Sequence, residues 1–253
     1  MLLSQLKSFK IQDNKKPEFQ PTPVDEFNLL NSRINKFISK AQESYKSQKE
    51  FIENASHEMQ TPLAIALNNL EQLLETEGLG REHMELIEKT MGKLESLTRY
   101  NKSLLLLSRI QNEQFPEQEK VEVNHILKNL IEDFKDISDS KNVEIRFTEH
   151  ASIELQMNQE LAQIIFTNLL KNAIIHSPEG GIVEVEVTSS SVCFSNSGDT
   201  PLDENSIFTR FYRSGSQVPS NGLGLAIARA IAESYKLQLH YNYSEGHIFR
   251  IHI

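Results

Sequence analysis

A single cysteine, Cys193, occurs in the 253 residues, so the chain holds no internal disulfide and suits a reducing compartment. Its setting, SVCFSN, reads as a strand, which favours a buried apolar role over a reactive thiol. No window approaches the roughly 20 apolar residues that a membrane helix needs. The opening MLLSQLKSFK has too short an apolar run for a secretory leader and no small-residue cleavage site. Positive charge is scarce: 26 Lys and Arg against 35 Asp and Glu leave a net charge of −9. That balance argues against nucleic acid as a main partner but leaves room for a nucleotide at a small local site. Periodicity is absent from IQDNKKPEFQPTPV, whose three prolines mark residues 1–24 as ending in a linker or mobile arm.

What remains is a globular composition, 38% hydrophobic and 24% charged, long enough for two domains. From about residue 25 to 77 the apolar positions follow a helical seam. Leu30, Ile34, Phe37 and Ala41 recur at alternating gaps of four and three, and Leu63, Leu67, Leu70 and Leu74 repeat them. TEGLGRE then reads as a turn, and a second helix to about residue 112 carries Ile87, Met91, Leu94, Leu97, Tyr100, Leu104 and Leu107 on one stripe. Two long helices joined by a short turn make an antiparallel hairpin. Pairing two copies about a two-fold axis gives a four-helix bundle that buries both stripes, so a homodimer is expected. The alternative is a hairpin packed on its own C-terminal domain.

Beyond a boundary near residue 116 the pattern changes to α+β. Helical stretches VNHILKNLIEDFKDISDSKN and NQELAQIIFTNLLKNAIIHS alternate with the strand-like VEIRFTE, IELQM, GIVEVEVT and SVCFSN. A turn-rich segment over 197–221 leads to a helix at 222–235 and two closing strands, LQLHYNY and HIFRIHI. Mostly antiparallel strands with helices on one face make a sandwich.

Two segments bear on chemistry. In SNGLGLAIARAIAESY, Gly222 and Gly224 open a helix after a long loop that includes Arg210 and Arg213. Glycines let backbone NH groups approach a bulky anion, and the helix start adds partial positive charge. A lone GxG is weak evidence, but so long a loop in a compact domain is usually functional, and a nucleotide lid is a natural reading. In NLLKNAIIHSPEGG, Asn168, Asn172 and His176 fall one turn apart along one helix face. Two asparagines satisfied by neighbouring backbone explain that pattern as well. An amide oxygen joining phosphate oxygens around a magnesium ion explains it too.

Taken in order, SHEMQTPL, NLLKNAIIHSPEGG, SNSGDTPL, FTRFYR and NGLGLAIA resemble the H, N, G1, F and G2 boxes of the sensor histidine kinases of two-component systems. The wording is closest to the group found in Bacteroidetes-like bacteria. The resemblance spans about residues 25–253 and implies a dimerising histidine-phosphotransfer hairpin (25–115) followed by a GHKL-type ATP-binding α/β sandwich (116–253). It implies ATP and Mg²⁺ as cofactors, with His57 as phosphoacceptor, Glu58 as its base, and Thr61 at the position that places water for dephosphorylation of a partner. Pro62, which removes a helix hydrogen bond, would bend the helix below His57. In the ATP domain the resemblance makes Asn172 the magnesium ligand, with Asn168 beside it. It sets His176 against the nucleotide, has Gly198, Leu223 with Gly222 and Gly224 frame pocket and lid, and sends Arg213 to the terminal phosphate.

Three positions depart from the pattern: Asn196 replaces the usual adenine-binding aspartate, Ile175 a lysine, and Ser220 the first lid glycine. An asparagine can still accept through its oxygen. The implied function is autophosphorylation of His57 and transfer to an aspartate on the receiver domain of a separate response regulator, docking around Leu63 to Leu70 and the second helix. The alternative is a degenerate or phosphatase-biased dimer that binds partners without autokinase activity. Such kinases commonly follow a membrane-embedded sensor, so a cytoplasmic portion of a longer receptor is expected, in contact with a membrane only through a missing N-terminal region.

Overall fold

A computed structural model describes residue 19 and residues 22–76, 78–115, 117–212 and 222–253; the side chains of residues 49, 52, 53, 56 and 57 are outside that description. The described chain falls into two compact units dividing between Thr61 and Pro62.

Helix α1, Asp25–Leu74, belongs to both units and stays α-helical through Pro62. Asp25 and Glu26 lie in its first turn, where carboxylates suit the positive end of the helix dipole. Within the first unit Ile38 is buried, whereas Phe37 is 74% exposed, so the seam expected through Phe37 is not the buried face there. Past the proline, Leu63, Leu67, Leu70 and Leu74 are all half-buried, as the spacing predicts, and apart from Ala66 their flanking residues are exposed.

Helix α2, Arg81–Gln111, follows the glycine-bearing turn. Ile87, Met91, Leu94 and Tyr100 are half-buried and Leu107 is buried. Leu97 and Leu104 are not on the packed stripe: they are 51% and 37% exposed. The reason is that α2 has two working faces. Its C-terminal part, through Tyr100, Leu107 and Ile110, joins the core of the C-terminal domain, and this rotates Leu97 and Leu104 outward. Within residues 62–253 the second hairpin helix thus packs on its own C-terminal domain, against the chain's last helix.

That domain runs β1 (Glu119–Glu122), α3 (Val123–Asp133), α4 (Lys135–Ser140), β2 (Glu144–Glu149), β3 (Glu154–Met157), α5 (Gln159–His176), β4 (Ile182–Val187), β5 (Ser191–Asn196), α6 (Gly224–Ser234), β6 (Gln238–Tyr243) and β7 (His247–His252). Five strands form one sheet in the order β2-β4-β5-β7-β6. Only the β2–β4 pair is parallel, because α5 intervenes between those strands; the other three pairs are antiparallel. Strands β1 and β3 pair separately, in a two-stranded ribbon. The sequence reading missed β1: EKVE has one apolar residue, Val121, too little for a period.

The core lies between the sheet and α3, α5 and α6. Helix α5 is buried on most of its surface, with Phe166, Leu169, Leu170 and Ile174 at 1% exposure or less. Full burial of such side chains stabilises by about 1.5–3 kcal/mol each. Asn158 caps its start by accepting from the Leu161 backbone NH at 3.1 Å. At its other end Lys141 Nζ donates to the carbonyls of Ile175 and Ser177, both at 2.5 Å, and of Ile174 at 3.3 Å. A cation on orphan carbonyls at a helix C-terminus is favourable on both hydrogen-bond and dipole grounds. On the edge strand β6, Arg229 of α6 donates from Nη1 to the Leu239 carbonyl at 2.7 Å while its Nε meets Glu233 at 2.7 Å. Its guanidinium also lies 5.4 Å from the Phe208 ring centre.

Candidate nucleotide site

The candidate residues of the C-terminal domain come from one face of α5, the end of β5 and the entry to α6. Asn168 Nδ2 donates to the Ile164 carbonyl one turn back at 2.8 Å, which orients Oδ1 toward α6. There Gly224 makes room for it, since a Cβ on Gly224 would sit 2.7 Å from that oxygen. Asn172, one turn on, is half-buried and has no hydrogen-bond partner among the described residues. His176 ends the helix, also half-buried. Burial holds its imidazole below the usual histidine range, and the positive ends of Lys141 and His247 add to the effect.

Asn196 closes β5 at 3% exposure. Its Nδ2 donates to the Ser197 carbonyl at 3.1 Å, but its Oδ1 has no partner among the described residues. An unpaired buried acceptor costs on the order of 1–3 kcal/mol. The contrast with Asn124 is informative. That residue is just as buried, yet its Nδ2 reaches Glu149 and Ala151, and its Oδ1 accepts from the Ile153 NH. Asn124 is thus satisfied on both amide atoms, whereas Asn196 leaves one buried acceptor unpaired among the described residues.

Gly198, two residues on, is wedged against a side chain the sequence did not single out. His247 of β7 pairs with Asn196 across the sheet, and a Cβ on Gly198 would lie 2.5 Å from its ring. His247 Nδ1 meets the Tyr241 hydroxyl at 2.9 Å, and the Tyr243 hydroxyl donates to the Gly198 carbonyl at 3.0 Å. The only sequence signal for this cluster was the alternation in LQLHYNY that sends Tyr241 and Tyr243 to the same side.

At the entry to α6, the backbone NH of Phe211 donates to the Gly222 carbonyl at 2.8 Å, and Gly222 takes φ +61°. A Cβ there would lie within 2.9 Å of the backbone of Phe211 and Tyr212, so the position demands glycine on both counts. Leu223 is fully buried beside it. Arg210 donates from Nη2 to Gln111 Oε1 of α2 at 2.9 Å, and is therefore engaged with the helical part of the chain. Arg213 and Ser220 lie outside the described residues. Ile175, where a lysine is usual, is half-buried and gives its carbonyl to Lys141. Lys141 is thus committed to the helix end rather than free to replace the missing lysine.

On α1, His57 falls within the helix, with its side chain outside the described residues; Glu58 and Thr61 are exposed. In the C-terminal domain, by contrast, the structure brings Asn168 to Gly224 and sets Asn196 and Gly198 against His247. Among the described residues there is no cluster of three or more His, Cys, Asp or Glu able to hold a metal by itself. A metal here would need amide and substrate oxygens, which suits magnesium.

Comparison with known proteins agrees with this geometry. Residues 157–253 match the family model for the histidine kinase-, DNA gyrase B-, and HSP90-like ATPase. Residues 47–113 match that for the His Kinase A (phospho-acceptor) domain. The chain is 32% identical over 221 residues to the heme sensor protein HssS of Staphylococcus saprophyticus, covering 84% of this chain and 47% of that one. It is 30% identical over 236 residues to the protein of that name from Staphylococcus aureus (strain Newman), covering 90% and 51%. The chain spans about half the length of the curated relatives it matches. Among solved structures, full-length ShkA in complex with AMPPNP superposes with TM-score 0.66 at 20% identity, over 80% of this chain and 45% of that one. The Acinetobacter baumannii histidine kinase AdeS gives 0.55 at 22%, over 78% and 96%. At such identities the likeness speaks for the fold. With a phospho-acceptor module and an ATPase module in the order the five boxes predict, the chain belongs to the two-component sensor histidine kinases.

Proposed function

We propose that this chain is an ATP-dependent protein-histidine kinase that phosphorylates His57 and passes the phosphoryl group to an aspartate of a separate response regulator. The observation that carries the reading is the presence in one chain of the phospho-acceptor match, which contains His57, and the ATPase match, which contains Asn168 to Gly224. The functional boundary then falls near residue 116, with residues 25–115 as the phosphotransfer hairpin.

A neutral imidazole is a competent nucleophile near pH 7. In the transfer, a ring nitrogen of His57 forms the N–P bond as the bond from the terminal phosphorus to the ADP oxygen breaks. Glu58 orients the other ring NH and stabilises the charge that grows on the ring. Asn196 Oδ1 accepts from the adenine amino group, which answers its missing partner. His176 packs on the nucleotide, and Gly198, Gly222, Leu223 and Gly224 shape pocket and lid. Asn172, with Asn168 beside it, would hold Mg²⁺, which would supply charge neutralisation at the phosphates; Arg213 would reach the terminal one. Phosphoryl transfer asks for positioning and charge neutralisation more than covalent chemistry, and these residues provide it. Thr61 serves dephosphorylation of the regulator.

A homodimer is supported by the apolar side chains left in water on the hairpin helices. Leu86, Leu97 and Leu104 of α2 are 63%, 51% and 37% exposed, and Ile65 and Leu73 of α1 55% and 48%. A second copy would cover them. No helix among the described residues is long and apolar enough to cross a membrane, and we assign the chain to the cytoplasmic side of a membrane sensor.

Autophosphorylation with γ-³²P-ATP and Mg²⁺ tests the reading. Acid-labile, alkali-stable label in the unmodified chain, absent in both His57→Gln and Asn172→Ala, is expected. Nucleotide binding without label would overturn the kinase assignment in favour of a partner-binding or phosphatase module.

A further inference from the structure

The buried acceptor of Asn196 is defined only because its amide is turned one way. Nδ2 points to the Ser197 carbonyl, so Oδ1 is left buried and unpaired among the described residues. Rotated by half a turn, the same side chain would offer NH donors instead. These two orientations suit different purines: an acceptor matches the 6-amino group of adenine, a donor the 6-oxo group of guanine. What fixes the Ser197 carbonyl therefore fixes base choice, and Ser197 opens a turn, residues 197–202, that is tied at both ends to the β6–β7 hairpin.

At its near end the turn is held by Tyr243, whose hydroxyl donates to the Gly198 carbonyl at 3.0 Å, and by the His247 ring against the Gly198 backbone. At its far end the Leu202 NH donates to the Tyr241 hydroxyl at 3.0 Å. That hydroxyl has one proton to give, and His247 Nδ1 at 2.9 Å is its acceptor among the described residues. Tyr241 and His247 are 7% and 8% exposed, so an idle donor or acceptor between them would be costly. The pair is satisfied when Nδ1 is unprotonated and the ring neutral. Burial favours that form by holding His247 below the usual histidine range. The rings also pack on each other, with Tyr241 and Tyr243 centres 5.9 Å and 5.5 Å from that of His247.

We propose that Tyr241 and His247 are positioning residues for the nucleobase, holding the 197–202 turn so that Asn196 presents an acceptor and the site prefers adenine to guanine. This rests on the reading of the site as a kinase nucleotide pocket. Neither residue needs to touch the base; both act through Ser197 and Gly198.

The experiment is calorimetric titration of the full chain with ATP and with GTP, each with Mg²⁺, for the unmodified protein and for Tyr241→Phe, His247→Leu and His247→Asn. Circular dichroism confirms folding of each. Tyr241→Phe keeps the ring and removes only the hydroxyl, and is expected to lower the ATP-over-GTP preference by roughly 3- to 10-fold, the range set by one hydrogen bond. His247→Leu should do the same. His247→Asn, whose Oδ1 can take the Tyr241 proton, should recover most of the preference. A preference that stays constant in the folded Tyr241→Phe and His247→Leu proteins, with affinities unchanged or falling in parallel, overturns the inference while leaving the kinase reading intact. Binding of neither nucleotide by the unmodified chain overturns both.

Discussion

Gly224→Ala is the sharpest probe of how α5 and α6 meet. In most helices this exchange is mildly helpful, because alanine loses less backbone entropy than glycine, a gain of about 0.4–1 kcal/mol. Here the new Cβ would stand 2.7 Å from Asn168 Oδ1, against 3.4 Å or more for ordinary contact, an overlap of about 0.7 Å. The next neighbours, Asn168 Cγ at 3.6 Å and Cβ at 4.0 Å, are at comfortable range, so the conflict is with one oxygen. Moving that oxygen breaks the Asn168 bond to the Ile164 carbonyl. Overpacking of this kind costs about 1–3 kcal/mol. The net loss should be about 1–2 kcal/mol, or roughly 3–6 °C in Tm for a chain of this size. In an Asn168→Ala background the obstacle is gone, and adding Gly224→Ala should instead raise Tm by roughly 1–3 °C. Thermal unfolding of the four proteins in this double-mutant cycle measures the coupling. Additive effects, with Gly224→Ala equally harmful in both backgrounds, would refute the reasoning.

Other expectations follow from the same geometry. Gly222→Ala should be more damaging than Gly224→Ala and insensitive to Asn168, since it adds about 1–2 kcal/mol of left-handed strain to a clash with the Phe211 and Tyr212 backbone; thermal unfolding of the double variant checks this. Asn196→Ala should weaken ATP binding by roughly 2- to 10-fold in calorimetry, the worth of one neutral hydrogen bond, and a retained affinity would separate this residue from base recognition. His176 and His247 both have pKa values held below the ordinary histidine value of about 6.5. In the window between the depressed folded value and 6.5 the unfolded chain binds more protons, so stability falls as pH is lowered through it and levels off below. Tm recorded from pH 8 to 5 should show that fall, and it should be shallower in His247→Asn. Cys193 is 7% exposed with its thiol pushed up by burial, so a thiol reagent should label it slowly in the native chain and fast in urea.

Much of this molecule could be seen in the sequence because its signals are periodic or conformational. The long seam through Leu63, Leu67, Leu70 and Leu74 and the alternation of IVEVEV announce helix and strand by spacing alone. Gly222 was legible because glycines at a helix entry after a long loop stand out, and the structure adds a positive φ there. The second face of α2 was not legible: Leu97 and Tyr100 both satisfy a helical stripe, and only the arrival of the last helix decides which is covered. Strand β1 escaped because pairing to β3, not its own composition, makes it a strand. His247 was invisible for a related reason. Its importance comes from a register that sets it opposite Asn196, fifty-one positions earlier in the chain, and local sequence does not encode register.

The sheet ends at β6, and a bare strand edge is an invitation to other chains. Backbone groups along it can template a further strand, the first step toward fibrous or amorphous aggregates. Arg229 occupies this edge by taking the Leu239 carbonyl, and it is itself anchored by Glu233 and the Phe208 ring. An incoming strand must first evict a guanidinium held at three points and then tolerate its charge. One side chain on the last helix therefore helps keep copies of the chain from joining edge to edge.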